Sequence, residues 1–274
     1  MTDINVEVVG TEGEEIKAPK TISWVKTAQD FGLNIEIVEG VFNPNEVKFL
    51  VYGESGCGKT VFASSFPAAI FIDIDHGMAS IRSRVARVDV NTVDAVEGWD
   101  QVTQTIDYLS TTSHPFKTLV IDSINELQEL AKRAIILKYP SIRRAYENLP
   151  SQSDYGKLLD DYDKAVRKAK ALSMNVVYIG NVAPQEFETD MVQPQLIGKH
   201  SAKTMTRMVD VVGYLYRVET GDQKKGRNIV FDASNYVTKD RSGVLPPSMT
   251  DPSYAQLYEY WKLRLPENLK ENKK

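Results

Sequence analysis

Residues 51–60 read VYGESGCGKT, which contains G-x-x-x-x-G-K-T from Gly53 to Thr60. Glycines let a backbone curl until successive N–H groups converge on phosphate oxygens, and the helix that follows adds positive potential. In such a loop Lys59 reaches the β- and γ-phosphates, and Thr60 offers its hydroxyl to Mg²⁺. The apolar run VKFLVYG (47–53) precedes the motif and KTVFASSF opens a short helix after it. That strand–loop–helix context separates a phosphate loop from a chance glycine-rich turn. The nucleotide-binding candidates are therefore Gly53, Glu54, Ser55, Gly56, Cys57, Gly58, Lys59, Thr60 and Val61. Cys57 reads as a small residue that fits the loop rather than as a reactive thiol.

Outward from the loop, strands alternate with helices. AIFIDID (69–75), TLVIDS (118–123) and NVVYIGN (175–181) are short, nearly all-apolar runs, as buried parallel strands are. Val96, Trp99, Val102, Ile106 and Leu109 recur at spacings of three and four, the mark of an amphipathic helix. A second helix is predicted from Ile124 to Tyr139, stopped by Pro140. A longer one carries Tyr155, Leu158, Leu159, Tyr162, Val166 and Ala169 on its inner side. VDVVGYLYRVE (209–219) and RNIVFDA (227–233) are later strands, and a last helix covers roughly 253–264. The pattern predicts an α/β fold with a mostly parallel central sheet and helices on both faces. We divide the chain into an N-terminal arm and leading strand (1–46), a core (47–250) and a C-terminal helix with a charged tail (251–274).

A phosphate loop requires a carboxylate on a neighbouring strand. Asp122, at the end of TLVIDS, fits the Walker B pattern of apolar residues followed by Asp and would hold the Mg²⁺ shell with Thr60. FIDID offers Asp73 and Asp75 at its carboxyl end, where ligands of open α/β sheets gather. One of the two would orient the attacking water, and the other would serve as a capping or structural carboxylate.

The order of these parts resembles the RecA-type ATPase core and, within it, the phage nucleotide-binding proteins of single-strand annealing and recombination. The resemblance covers about residues 47–245. FIDIDHGM is similar to the family strand that ends in Asp-x-Glu-His, and Asp75 stands at the catalytic glutamate, one methylene shorter. VVYIGNVAPQ resembles the strand ending in Asn-Gln; Asn181 matches the Asn, while Val182 replaces the Gln. The resemblance implies ATP and Mg²⁺ as cofactors and ATP hydrolysis as the activity. It further implies a homo-oligomer with nucleotide at the subunit interface, single-stranded DNA and a single-strand-binding protein as partners, and the host-cell cytoplasm as location. Two loops of that family meet DNA, and they fall here on about 139–154 and 182–200. Arg143, Arg144 and Tyr146 in the first suit backbone tracking and base stacking, and Lys199 lies in the second. YVTKDRSG (236–243) resembles the Lys-x-Arg hairpin that RecA-fold hexamers present to a neighbour's γ-phosphate, which makes Lys239 and Arg241 candidate catalytic cations in trans.

Other features read more plainly. Arg82, Arg84 and Arg87 have the spacing of a helix face, and Lys224, Lys225 and Arg227 sit at a solvated hairpin tip. Tyr214 and Tyr216 read as packing residues. His76 and His114 have no metal-ligand company in the sequence, and the single cysteine excludes an intramolecular disulfide or a cysteine-rich zinc cluster. The formal charge of −4 argues against a generally basic nucleic-acid coat but leaves room for a local basic groove. No run of about 18 apolar residues suggests a membrane span, and the acidic N-terminus does not read as a signal peptide. A nucleotide-dependent loader or adaptor with little turnover and no DNA contact of its own is the alternative reading.

Overall fold

The computed structural model describes residues 32, 42–139, 150–184, 191–197, 199–219 and 225–265. Its centre is a sheet in the order β3-β2-β4-β5-β1-β6-β7-β9, with β8 pairing the start of β6. The parallel strands are β1 (Lys48–Tyr52), β2 (Ala69–Asp73), β3 (Ala86–Asp89), β4 (Thr118–Asp122), β5 (Asn175–Gly180) and β6 (Val211–Glu219). Three strands join antiparallel: β7 (Lys225–Val230), β8 (Lys239–Asp240) and β9 (Ser248–Thr250). Every residue of β1, β2, β4 and β5 is buried, which accounts for their unbroken apolar runs: both faces are covered. The loop strand β1 is separated from the Asp122 strand β4 by β5 alone. This is an α/β RecA-like P-loop fold with a mostly parallel central sheet.

Helices cover both faces. On one side α2 (Ala95–Thr111), α3 (Ile124–Lys138), α4 (Gln152–Lys170) and α5 (Lys199–Met208) set Trp99, Val102, Leu127, Leu158, Tyr162 and Met205 against Leu50, Ile72, Ile121 and Val176. On the other, α1 (Lys59–Ala63) and α6 (Tyr254–Trp261) pack Phe62, Leu257 and Trp261 with Phe49, Phe71, Leu215 and Phe231. The helix starts are made locally. Asp94 accepts from Val96 and Glu97 N–H, and Ser123 accepts from Glu126 N–H.

Some expectations change. Tyr155 is exposed, while its neighbour Asp154 is buried because its carboxylate closes a capping box with Ser151. Arg87 lies on edge strand β3 rather than on a helix face, and alternate residues of that strand are exposed. The 182–200 stretch is not one irregular loop. Val182 bridges Pro194, Val192 bridges Tyr236, and a helix begins at Lys199. Residues 1–31, 33–41 and 140–149, with the arm and with Arg143, Arg144 and Tyr146, lie outside the described residues, as does the Lys199 side chain.

Candidate nucleotide and metal site

Strand register builds the site. Asp122 is level with Asp73 on β2 and Ile179 on β5, and Ile179 is level with Val51 on β1. The loop from Gly53 to Gly58 therefore leaves β1 just beyond the level of the Asp122 carboxylate. Gly53 hugs β6 so closely that an added Cβ would lie 2.1 Å from the Leu215 carbonyl oxygen, so no side chain fits there. Gly58 has φ 102°, in the left-handed region that favours glycine.

Lys59 is buried, and its Nζ donates to the carbonyls of Gly53 (2.8 Å) and Glu54 (3.0 Å). Burial lowers its pKa, opposed by the neighbouring Cys57 and by the carboxylates of Asp122, Asp75 and Glu54. Thr60 Oγ1 donates to Asp122 Oδ2 at 2.8 Å. Burial raises Asp122 to about 6; the Thr60 hydrogen bond opposes the shift and the nearby Asp75 and Asp73 add to it. Asp75 is solvent-accessible, yet loss of hydration still raises its carboxyl, with Lys59 opposing and Asp73 adding. Its backbone N–H, like that of Ile74, donates to the Asp122 carbonyl.

The two FIDID carboxylates have different jobs. Asp73 is fully buried, pairs with Arg87 at 3.2 Å, and accepts from Gly77 N–H. Those partners suit a structural carboxylate, whereas Asp75 lies close enough to Lys59 and Asp122 for their charges to act on one another. A further acid, Glu126, lies in the first turn of α3; its carboxyl is raised by burial first and by Asp75 next. The sequence reading passed over Glu126, although it stands three residues after Ser123 in a capping position. The Thr60 hydroxyl and the Asp122 carboxylate, in direct hydrogen-bond contact, are hard oxygen donors that suit a cation such as Mg²⁺. The site therefore fits the metal.

His76 has carboxylate company after all: its ligand nitrogen and oxygens of Asp73 and Asp89 cluster within 4.8 Å. Arg87 already pairs with both carboxylates.

Lys239 and Arg241 acquire a task within the chain. Lys239 Nζ donates to the carbonyls of Thr206, Arg207 and Val209 at the end of α5, and Arg241 reaches the Arg207 carbonyl and Asp210. They flank Asp240, which pairs with Val211 at the start of β6 and so is level with Phe49, at the end of the sheet away from the loop. Helix carbonyls without intrahelical partners draw such cations.

A family model described as an AAA domain matches residues 45–242. Among solved structures, a KaiC-like protein of the hyperthermophilic archaeon Pyrococcus horikoshii is similar at 17% identity and a TM-score of 0.37, over 68% of this chain and 77% of that one. The RadB recombinase is similar at 15% identity and a TM-score of 0.41, over 68% of this chain and 80% of that one. A search of curated proteins found no match. Among the described residues no helix is long and apolar enough to cross a membrane. The family model spans most of the chain, including the loop, Asp75 and Asp122, and the chain belongs to the AAA domain family of P-loop NTPases.

Proposed function

We propose that this chain is a Mg²⁺-dependent ATPase that acts on single-stranded DNA in phage recombination or annealing, as a homo-oligomer with nucleotide at the subunit interface. The 2.8 Å hydrogen bond from Thr60 to Asp122, beside Lys59, carries the ATPase part, because it joins the two metal-holding groups of a phosphate loop. Lys59 and the loop amides hold the phosphates, and Thr60 and Asp122 hold the metal. Asp75, exposed to solvent and next to both, orients the water for in-line attack on the γ-phosphorus. Mg²⁺ held by Thr60 and Asp122 would supply positive charge to offset that of the phosphates.

The DNA part rests on the motif resemblance and on one mechanical connection. Asn125, at the start of the helix after Asp122, donates to the Gln195 carbonyl at 2.6 Å and accepts from Asn181 N–H at 2.8 Å. The segment after β5 thus hangs from the helix that begins at the metal carboxylate. A loader or adaptor with slow turnover is the second reading, favoured by Asp75 in place of a longer glutamate. ATP turnover and a gel shift, each with and without single-stranded DNA, separate the two. Stimulation and an ATP-dependent shift are expected; neither effect, with ATP still bound, supports the adaptor.

A further inference from the structure

A cleft of about 660 Å³ opens on the flank of the phosphate loop beside Cys57, Gly58 and Val61, and Arg82, Arg217 and Arg227 line it. Arg217 on β6 and Arg227 on β7 are directly opposite in antiparallel register. Directly opposed side chains share a face with Cβ atoms about 4.5–5.5 Å apart, and like charges so placed repel. Among the described residues neither guanidinium has a carboxylate in ion-pair reach, whereas Arg87 and Arg241 each do. The Arg227 stem lies on the loop itself: a Cβ added at Gly58 would meet its Cδ at 2.8 Å and its Nη1 at 3.4 Å. Arg227 is thus no solvated hairpin tip. In the sheet order, β4 and β2 with the carboxylates lie to one side of β1, and β6 and β7 with the arginines lie to the other.

We propose that Arg217 and Arg227 form a clamp on the phosphate chain of the nucleotide held by the same chain's loop. The inference rests on the nucleotide-binding reading above and adds to it a cationic wall on the side of β1 opposite the carboxylates. A phosphate group offers several acceptor oxygens to two forked guanidinium groups, and its negative charge removes the repulsion between them. The cost of holding two like charges together in the free protein is returned on binding as affinity for a polyphosphate.

The test measures ATP and ADP affinity, and the melting temperature of the nucleotide-free protein, for wild type, Arg217→Gln, Arg227→Gln and Arg227→Lys, with Lys59→Ala as control. Each Gln variant is expected to weaken both nucleotides about 10- to 100-fold, the range of a lost hydrogen bond to a charged group, while Arg227→Lys, which keeps the charge but loses the fork, falls between wild type and Arg227→Gln. The nucleotide-free Gln variants should melt about 1 °C higher, because a repulsion is gone. Wild-type affinity in both Gln variants would overturn the clamp, and so would a fall in melting temperature that accounts for the lost binding. Normal ATP binding by Lys59→Ala, or none by wild type, overturns the underlying nucleotide reading instead.

Discussion

Thr60 and Asp122, 62 residues apart in sequence, meet through a 2.8 Å hydrogen bond at the carboxyl end of the sheet. The Asp122 carboxyl is buried, and its pKa rises from 3.8 to about 6. The folded chain therefore binds this proton more tightly than the unfolded chain does. Its stabilising contribution is full below pH 3.8 and is lost as the pH rises to 6, on the order of 3 kcal/mol in all. Asp122→Asn should keep an acceptor for Thr60 but remove the buried charge. We expect the nucleotide-free variant to show a shallower downward slope of stability between pH 4 and 6, with Asp75 and Glu126 still contributing, and to melt higher than wild type at pH 7.5, with hydrolysis abolished. An unchanged slope in denaturant titrations would remove Asp122 as its source. In wild type, Mg²⁺-dependent ATP binding should weaken as the pH falls through about 6, because the protonated acid is a poor metal ligand.

Asp75 is the group expected to position water. General-base assistance is worth about 10²- to 10⁴-fold in rate, so Asp75→Asn should lower turnover by at least 100-fold with ATP affinity nearly unchanged. Asp75→Glu adds the methylene that the resembling family has and should raise turnover. If Asn and Asp at this position turn over ATP equally, Glu126 becomes the group to replace next, because its carboxyl is raised in part by Asp75.

The parts of the site that were legible in the sequence are those fixed by local chemistry. A phosphate loop has set spacing, and fully buried strands write themselves as apolar runs. What the sequence hid depends on register between distant segments. Nothing local to Arg227 shows that it faces Arg217 across two strands. Helix α5, KHSAKTMTRM, buries only Met205 and Met208 among its described side chains, too few to display a period. Of Arg82, Arg84 and Arg87 only Arg87 lies on edge strand β3, whose four residues are too few to display their alternation in the sequence. The resemblance of YVTKDRSG to an interface hairpin is purely local, while the α5 carbonyls its cations reach lie about 30 residues earlier.

That intrachain task yields a stability prediction. Lys239→Met strands the carbonyls of Thr206, Arg207 and Val209, and should cost about 1–2 kcal/mol, a melting shift of a few degrees. Arg241→Ala loses the Asp210 pair and one carbonyl and should cost less, because Arg241 is half exposed. A role on a neighbour's γ-phosphate gives a different signature: Arg241→Ala would leave melting and ATP affinity unchanged while hydrolysis by the assembled protein falls. Melting curves and turnover measured together on one preparation decide between them.

The last prediction concerns the segment between β5 and α5. Gln128 holds it at a second point, accepting from Ile197 N–H at 2.7 Å and donating to the Ile197 carbonyl at 3.5 Å. With Asn125, it ties residues 195–197 to α3, which starts directly after Asp122 and Ser123. Any shift of that helix on nucleotide binding is thus passed to the segment by four hydrogen bonds rather than by loose contact. Asn125→Ala and Gln128→Ala should each cost roughly 1–3 kcal/mol of stability, because backbone groups lose their partners. Neither residue touches the phosphate loop among the described contacts, so ATP affinity should stay within about twofold of wild type, while stimulation of turnover by single-stranded DNA is lost. Full stimulation in a double variant that melts lower but binds ATP normally would show that these bonds only fasten the segment down.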